Sequence, residues 1–526
     1  MATAAYLAPS NGKKFTLQEV AKHNTEDNAW VIINDRAGGK RILLSVAGKD
    51  ATAQFANFHN VAAVLATKAN ALYIGDLDQA HKEAPKPKGE LFGELIPYGD
   101  PSWYQGWKTP YYKESHKRLR DYMRDIVDTH LIPYNDVWEA DGQIPKSVYK
   151  LFGELGLLTA FTGVKPWPSS YIDTPPPVGI KPEEWDAFHW MICLDELARA
   201  YSPARQQLTL GPSIALPAII GKICFGNDFQ RKEIMPQVMS GNKTVCLCIS
   251  EPYAGSDVAN ITTTAVKTAD GKHYIVNGEK KWITCGMQGD YFVTACRTGP
   301  PGSGANGISV LIVERGPGLK TRSLPTQQGT AAGTAYVTYD NVKVPVQNLL
   351  GEENKGFKVL MNNFNKERIS IAINASRNAR VCVEVAMKYA NKRKTFGQYL
   401  IEHGVIRNKA RQRFGHMSRM VEATHAWIEL VIYQWDNMTP AESNLKLGGS
   451  IALLKAQCTQ TLELCAREAS QIMGGIAYTK GGQGGIIERL YRSVRGAAIP
   501  GGSEEIMLDF GVRQGLKTAR ALGAKI

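Results

Sequence analysis

Cys248-Ile249-Ser250-Glu251-Pro252-Tyr253-Ala254-Gly255-Ser256-Asp257, with Lys280-Lys281-Trp282-Ile283-Thr284 downstream of it, decides how the rest of this chain reads. Small residues in the first stretch let backbone come close to a flat ligand, and Gly255 imposes no side chain there. Both stretches sit in β texture. Residues 262–268 and 273–276 read as strands joined by an Asp270-Gly271 turn, and Asn277-Gly278 offers another turn signal. Residues 291–297 and 308–314 are further strand-length apolar runs, and this texture persists to about residue 344.

Outward from that centre the period changes. Residues 111–157 and 182–234 carry helical stripes, as in Leu194, Leu197, Ala198 and Tyr201. Between them, 164–180 is rich in proline and serine and reads as a loop insertion. From Gly356 helices return, with apolar stripes over 368–393, 403–435 and 440–474. The order is α, β, α, with no internal repeat of solenoid length.

Composition narrows the class. At 526 residues, 44% apolar and 21% charged, the chain is an ordinary globular protein with room for several domains. It has no apolar run long enough for a spanning helix. The nine cysteines form no CxxC pair, which argues for a reducing compartment and against a metal site or a disulfide framework. The net charge of +13 is spread singly along helical stretches such as 388–394. That suits a solvated surface or a polyanionic small molecule; with no basic-aromatic stripe, nucleic-acid binding is not expected. The first residues lack a secretory core and an arginine-rich amphipathic pattern. Ala524-Lys525-Ile526 resembles a relaxed peroxisomal address, so peroxisome is the expected location, with mitochondrial matrix or cytosol as alternatives.

Taken together, the motifs resemble those of the acyl-CoA dehydrogenase flavoproteins over about four-fifths of the chain, from Tyr111 to the end. The resemblance implies an α+β multidomain fold: an N-terminal helical domain (103–243), a central β domain (244–352) and a C-terminal four-helix bundle (353–526). It implies FAD as cofactor. Ile249, Ser250 and Gly255 would lie along the flavin, Trp282 would pack on it, Thr284 would donate near its N5, and Ser256 would face the CoA side. Arg393-Lys394-Thr395-Phe396-Gly397 resembles the stretch that reaches the FAD pyrophosphate, often of a neighbouring subunit, through Arg393 and Phe396. Gln471-Ile472-Met473-Gly474-Gly475 would meet the adenine half through Gln471, Gly474 and Gly475. A cofactor shared across subunits implies a homo-oligomer, typically a tetramer.

The last motif departs from the family's pattern. Where the family commonly carries Tyr-Glu-Gly-Thr, this chain reads Pro500-Gly501-Gly502-Ser503, so the glutamate that abstracts the substrate α-proton becomes Gly501. Ser503 keeps a hydroxyl for the flavin, and the Gly501 amide could still polarise the thioester carbonyl. Some members carry the base just before an arginine in the first long C-terminal helix, and here that place reads Asn365-Lys366-Glu367-Arg368. The resemblance therefore assigns Glu367 as base, with Asn365 and Arg368 on the substrate; Glu504 and Glu505 are the fallback. The bland reading of Glu367 is a solvated carboxylate at a helix start, favoured by the dipole.

Residues 10–78 resemble a cytochrome b5-like unit, joined by a polar, proline-bearing linker at 79–102. His59 stands where that family keeps one axial ligand, but the segment carrying the second is absent. Haem b needs two imidazoles there, so a degenerate fold without haem is expected. The function implied is dehydrogenation of an acyl-CoA to a trans-2-enoyl-CoA, with an electron-transferring flavoprotein, oxygen or a b-type cytochrome as acceptor. An oxygen-using oxidase-like enzyme and a catalytically weak flavoprotein with a binding role are the alternatives.

Overall fold

A computed structural model describes residues 14–25, 28–33, 36–38, 73–77, 92–220 and 224–525. In the N-terminal unit, Thr16 and Glu19 close a capping box on the helix Leu17–Ala21: the Thr16 hydroxyl accepts the Glu19 N–H (3.2 Å), and the Glu19 carboxylate accepts the Thr16 N–H (2.7 Å). Val20 is buried against Phe15 and Trp30, and the His23 ring stacks on Trp30. Four strands pair in the order Lys14–Phe15, Tyr73–Leu77, Arg36–Gly38, Val31–Ile33. His59 and the segment around it lie outside the described residues.

The latter part of the expected linker is held on the folded body. The Asp100 carboxylate accepts from Arg124 (2.7 Å) and Arg377 (2.9 Å), and Arg120 covers the Phe92 ring at 4.0 Å. Buried guanidinium groups need such partners. The helical layer that follows is built on α1 (Glu114–His130) and α2 (Ala187–Ala198), the second buried along its whole length. Asp186 caps α2 and also accepts from His116 of α1 at 3.0 Å, while His189 Nδ1, 2.8 Å from the same carboxylate, accepts the Asp186 N–H at 3.2 Å. The 164–180 segment has no α-helix, as its composition predicts, yet Trp167, Ile172 and Ile180 are buried.

The β layer comprises β1 (Val245–Cys248), β2 (Thr264–Lys267), β3 (His273–Ile283), β4 (Tyr291–Arg297), β5 (Ile308–Glu314), β6 (Leu319–Ser323), β7 (Ala335–Pro345) and β8 (Leu349–Leu350). The order is β6-β7-β3-β2-β4-β5-β8, with β1 also on β4. β1 and β2 both pair with β4, β1 along Tyr291–Thr294 and β2 at Arg297, so the loop of the first motif spans one edge. The Asp270-Gly271 turn forms, Gly271 at φ +67°. Asn277-Gly278 does not turn the chain; it lies inside β3 at an irregularity of the β7 pairing. A side chain at 278 would meet Thr263 Cα at 2.7 Å, so this glycine serves close strand approach.

The C-terminal helices are α3 (Gly356–Lys392), α4 (Gly404–Asn437), α5 (Gly448–Met473), α6 (Gly485–Ala498) and α7 (Glu504–Ala521). α3 to α6 form the expected four-helix bundle, and α7 packs against α5. Helices return at Gly356, as the sequence predicts, while a later boundary differs. α3 begins at Gly356, where a side chain would strike the Ser309 backbone at 2.7 Å, so the helix starts tight against β5. The 440–474 stretch splits at Leu447 into Pro440–Lys446, whose start Thr439 caps, and α5. Among the described residues, no helix is long and apolar enough to cross a membrane.

Candidate active site

The first-motif loop is pinned from within. Glu251 is 3% exposed and accepts from Lys280 Nζ (2.8 Å), the Thr262 N–H (2.6 Å), the Thr262 hydroxyl (2.8 Å) and the Thr263 N–H (2.9 Å). Lys280 also donates to the Ile249 carbonyl at 3.0 Å. These charge-assisted bonds hold the Glu251 carboxyl down at about 2, against its burial, with the Lys280 charge the leading stabilising cause. Arg297 ties the far side of the loop through the carbonyls of Ile261 (3.0 Å) and Ala259 (2.7 Å).

That scaffold brings the two motifs together. The Ser250 carbonyl accepts the Lys281 N–H at 2.9 Å, which places Ser250 beside Trp282. Trp282 stands at φ +68° with 56% of its surface exposed, an unusual state for a large apolar ring on a sheet. Ile249 is buried, Ser250 and Thr284 are half-buried, and Gly255 and Ser256 are exposed. Nothing lies within 4 Å of a Cβ placed at Gly255. The Ser250 and Thr284 hydroxyls make no hydrogen bond within the described protein. An exposed ring, two unengaged hydroxyls and an open glycine fit the edge and face of a flat, polar-rimmed cofactor such as a flavin.

The second group of predicted residues is helical. Glu367 lies about three turns inside α3, so the solvated helix-start reading fails. Its carboxylate makes no hydrogen bond; desolvation pushes it up to about 7, although the charges of Arg368 and Lys455 pull the other way. A Cβ at Gly501 would stand 3.9 Å from Glu367 Oε1. The two positions at which a carboxylate can be placed therefore converge on one point. Gly501 sits at φ +69°, and its Cβ would meet Ile371 Cδ1 at 2.8 Å, so a side chain there is strained and crowded.

The turn carrying Gly501 is clamped by two cations. Arg368 Nε donates to the Gly501 carbonyl at 2.9 Å, and Lys455 donates to the carbonyls of Gly502, at 2.7 Å, and Ala498. The Gly501 N–H itself has no acceptor among the described residues. Asn365 accepts from Arg368 Nη1 at 3.3 Å and so belongs to the same cluster. The Ser503 hydroxyl caps α7, accepting the Ile506 N–H at 3.5 Å. Glu505 is exposed, and Glu504 accepts from Thr459 at 3.4 Å rather than facing Glu367.

The structure leaves another group of predicted residues outside this cluster. Arg393 is 26 residues beyond Glu367, at the end of α3. At the rise of an α-helix that is roughly 40 Å away. Arg393 is exposed and Phe396 is 97% exposed; Gln471, Gly474 and Gly475 are also on the surface, with open space where either glycine's Cβ would be.

Comparison with known proteins now bears on this geometry. Family models for the N-terminal, middle and C-terminal domains of acyl-CoA dehydrogenases match residues 113–166, 246–342 and 354–516. An acyl-CoA dehydrogenase of Emericella nidulans is 39% identical over 435 residues, 82% of this chain and 98% of its own. The chain belongs to the acyl-CoA dehydrogenase family. A second acyl-CoA dehydrogenase, of Alternaria alternata, is 39% identical over 428 residues, covering 81% of this chain and 96% of its own. The crystal structure of an acyl-CoA dehydrogenase from Geobacillus kaustophilus matches with a TM-score of 0.67 at 30% identity, over 79% of this chain and 100% of that one. A cytochrome b5-like heme/steroid binding domain model matches residues 16–78. As a member of the acyl-CoA dehydrogenase family, the chain is an oxidoreductase acting on acyl-CoA.

Three residues that brace these candidate groups were not predicted from the sequence. The Glu251–Lys280 pin was in view within the motifs, but its pairing crosses 29 residues. Lys455 gave no local signal, because its acceptors lie 43 and 47 residues on. The His116, Asp186 and His189 ligand atoms cluster closely enough to hold a metal ion. We assign them to helix capping, since His116 Nδ1 accepts the Lys113 N–H (2.8 Å), which leaves its proton on Nε2, facing Asp186.

Proposed function

We propose that this chain dehydrogenates an acyl-CoA thioester to the trans-2-enoyl-CoA, with Glu367 as the base. The observation that carries this reading is the convergence of the Glu367 carboxylate on the empty side-chain position of Gly501, 3.9 Å away. A carboxylate without hydrogen bonds, pushed up to about 7, is matched to taking a proton near neutral pH.

Ile249, Ser250, Gly255, Trp282 and Thr284 would hold FAD, which when bound supplies the acceptor for the β-hydrogen as hydride. The rest is done by this chain's own groups. Arg368 and Lys455 hold the 498–502 turn by its carbonyls, leaving the Gly501 N–H free to donate to the thioester oxygen. That bond acidifies the α-C–H, and Glu367 removes the proton. Ser256 would face the CoA portion, and Asn365 and Arg368 would lie on the substrate beside the base.

The exposed Arg393, Phe396, Gln471, Gly474 and Gly475 support a homo-oligomer, typically a tetramer in this family. One chain cannot bring its own Arg393 to the cofactor beside its own Glu367, given a helix of that length.

The test is anaerobic mixing of the FAD-loaded protein with straight and branched acyl-CoAs, following flavin absorbance. Bleaching by at least one member, with enoyl-CoA as product, supports the reading. No bleaching by any of them, with FAD bound, would move the protein to a binding role.

A further inference from the structure

Four of the nine cysteines, Cys246, Cys248, Cys285 and Cys296, pack into the core of the β layer. Two of them share one strand. Cys246 and Cys248 stand two residues apart in β1, so their side chains leave the same face of the strand. Their sulfur atoms are 3.8 Å apart, and both residues are fully buried.

The surroundings make the pair unequal. The Thr294 and Tyr339 hydroxyls share a hydrogen bond of 2.9 Å beside Cys248, and the Lys280 charge reaches it. Burial raises both thiols, but hydrogen bonds from Cys246 and Tyr339, with the Lys280 charge, take Cys248 below its ordinary value. Burial and the bond to Cys248 push Cys246 well up. The pair thus holds a nucleophile, Cys248, and a partner within reach of it.

Position gives the pair its consequence. β1 ends at Cys248, and the next two residues are Ile249 and Ser250 of the first motif. The Ile249 carbonyl accepts from Lys280 (3.0 Å) and the Ser250 carbonyl accepts the Lys281 N–H (2.9 Å), so the end of β1 sets where that loop begins. Two residues of extended strand span roughly 6.6–6.8 Å between Cα atoms, the upper limit for a disulfide, whose usual separation is about 5.5–6 Å. Closing the bond shortens the strand by about 1 Å where it feeds the loop.

We infer that Cys246 and Cys248 form a reversible dithiol–disulfide switch that loosens the loop proposed to hold FAD. The inference rests on the flavin reading of Ile249 and Ser250. The oxidant is hydrogen peroxide, small enough to reach sulfurs that bulkier reagents do not. The Cys248 thiolate sulfur attacks one peroxide oxygen; the O–O bond breaks, and the leaving hydroxide takes up a proton to become water. The Cys246 sulfur then displaces the hydroxyl of the Cys248 sulfenic acid as a second water, and the S–S bond forms. Two thiols and one peroxide give one disulfide and two waters. A strained disulfide is readily opened by two equivalents of a small thiol, which leave as their own disulfide.

The experiment treats the FAD-loaded full chain with hydrogen peroxide, stops the reaction with catalase, and reads two quantities. Bound flavin is measured after gel filtration. The protein is also unfolded in an alkylating reagent, and the tryptic peptide 244–267, which holds both cysteines, is weighed. Wild type should yield that peptide unalkylated and lighter by two hydrogens, and should release FAD about tenfold faster than before treatment. Dithiothreitol should reverse both changes. Cys246→Ala should bind FAD as wild type does, keep it through the treatment, and hold Cys248 as a sulfenic acid that a dione reagent traps.

A peptide that stays fully alkylated at a dose that oxidises the exposed Cys224 overturns the proposal. So does a disulfide that leaves FAD retention unchanged, or an equal loss of FAD in Cys246→Ala. Each of these outcomes leaves the flavin reading intact. If the untreated protein holds no FAD, that reading falls, and this proposal with it.

Discussion

Glu251 and Glu367 are the same residue type, one in the first-motif loop of the β layer and one inside α3, and their surroundings send them in opposite directions. Glu251 is enclosed by a lysine, two backbone N–H groups and a hydroxyl, which hold its carboxyl at about 2. The Glu367 carboxylate has no hydrogen bond among the described residues and feels two cations only at a distance, so desolvation wins and the carboxyl rises to about 7. Burial costs both; hydrogen bonding decides which remains an anion. The first is a structural pin of the loop proposed to face the cofactor, and the second is the group proposed to take the proton.

The comparison breaks first at the pin. Glu251→Gln leaves the Lys280 ammonium buried without its counter-charge, and removing one partner of such a pair costs about 3–5 kcal/mol. The expected outcome is a clearly lowered melting temperature and weakened FAD retention, checked by calorimetry and bound-flavin absorbance. Unchanged stability would show that the loop does not depend on this pair.

A smaller effect separates the two glutamates by the sign of their pH dependence. Glu251 titrates lower in the fold than its ordinary 4.5, so its stabilisation is present above pH 4.5 and lost as the pH falls towards 2. Glu367 titrates higher, so its contribution is present below pH 4.5 and lost as the pH rises through 7. Glu367→Gln should therefore gain on wild type between pH 5 and pH 8, by roughly 2–4 °C in melting temperature. A difference independent of pH would contradict the raised carboxyl.

Smaller still is the expected cost of a methyl group at 501. Gly501→Ala places a side chain at φ +69° against Ile371, worth roughly 1 kcal/mol. It should slow flavin reduction several-fold by moving the turn, with FAD content unchanged.

What the sequence made legible follows the same division. The Ile249-Ser250-Glu251 and Trp282-Ile283-Thr284 stretches could be read because their placement depends on strand pairing and turns that local residues dictate. Asn277-Gly278 was misleading: its turn chemistry lost to the close approach of Thr263, which no local pattern announces. The convergence of Glu367 on Gly501 follows from the family pattern, but the desolvation that raises the Glu367 carboxyl is created by packing. Lys455 reads as an ordinary helix cation, because its meaning depends on partners 43 and 47 residues away.

The central claim is that the proton-removing group is the Glu367 side chain and that Gly501 contributes only its backbone. It is tested most directly by single-turnover flavin reduction as a function of pH, in wild type and Glu367→Gln. The account predicts a wild-type rate that rises through an inflection near 7 and a variant slowed by about a thousandfold. A variant that reduces its flavin as fast as wild type, with the same inflection, would place the base elsewhere.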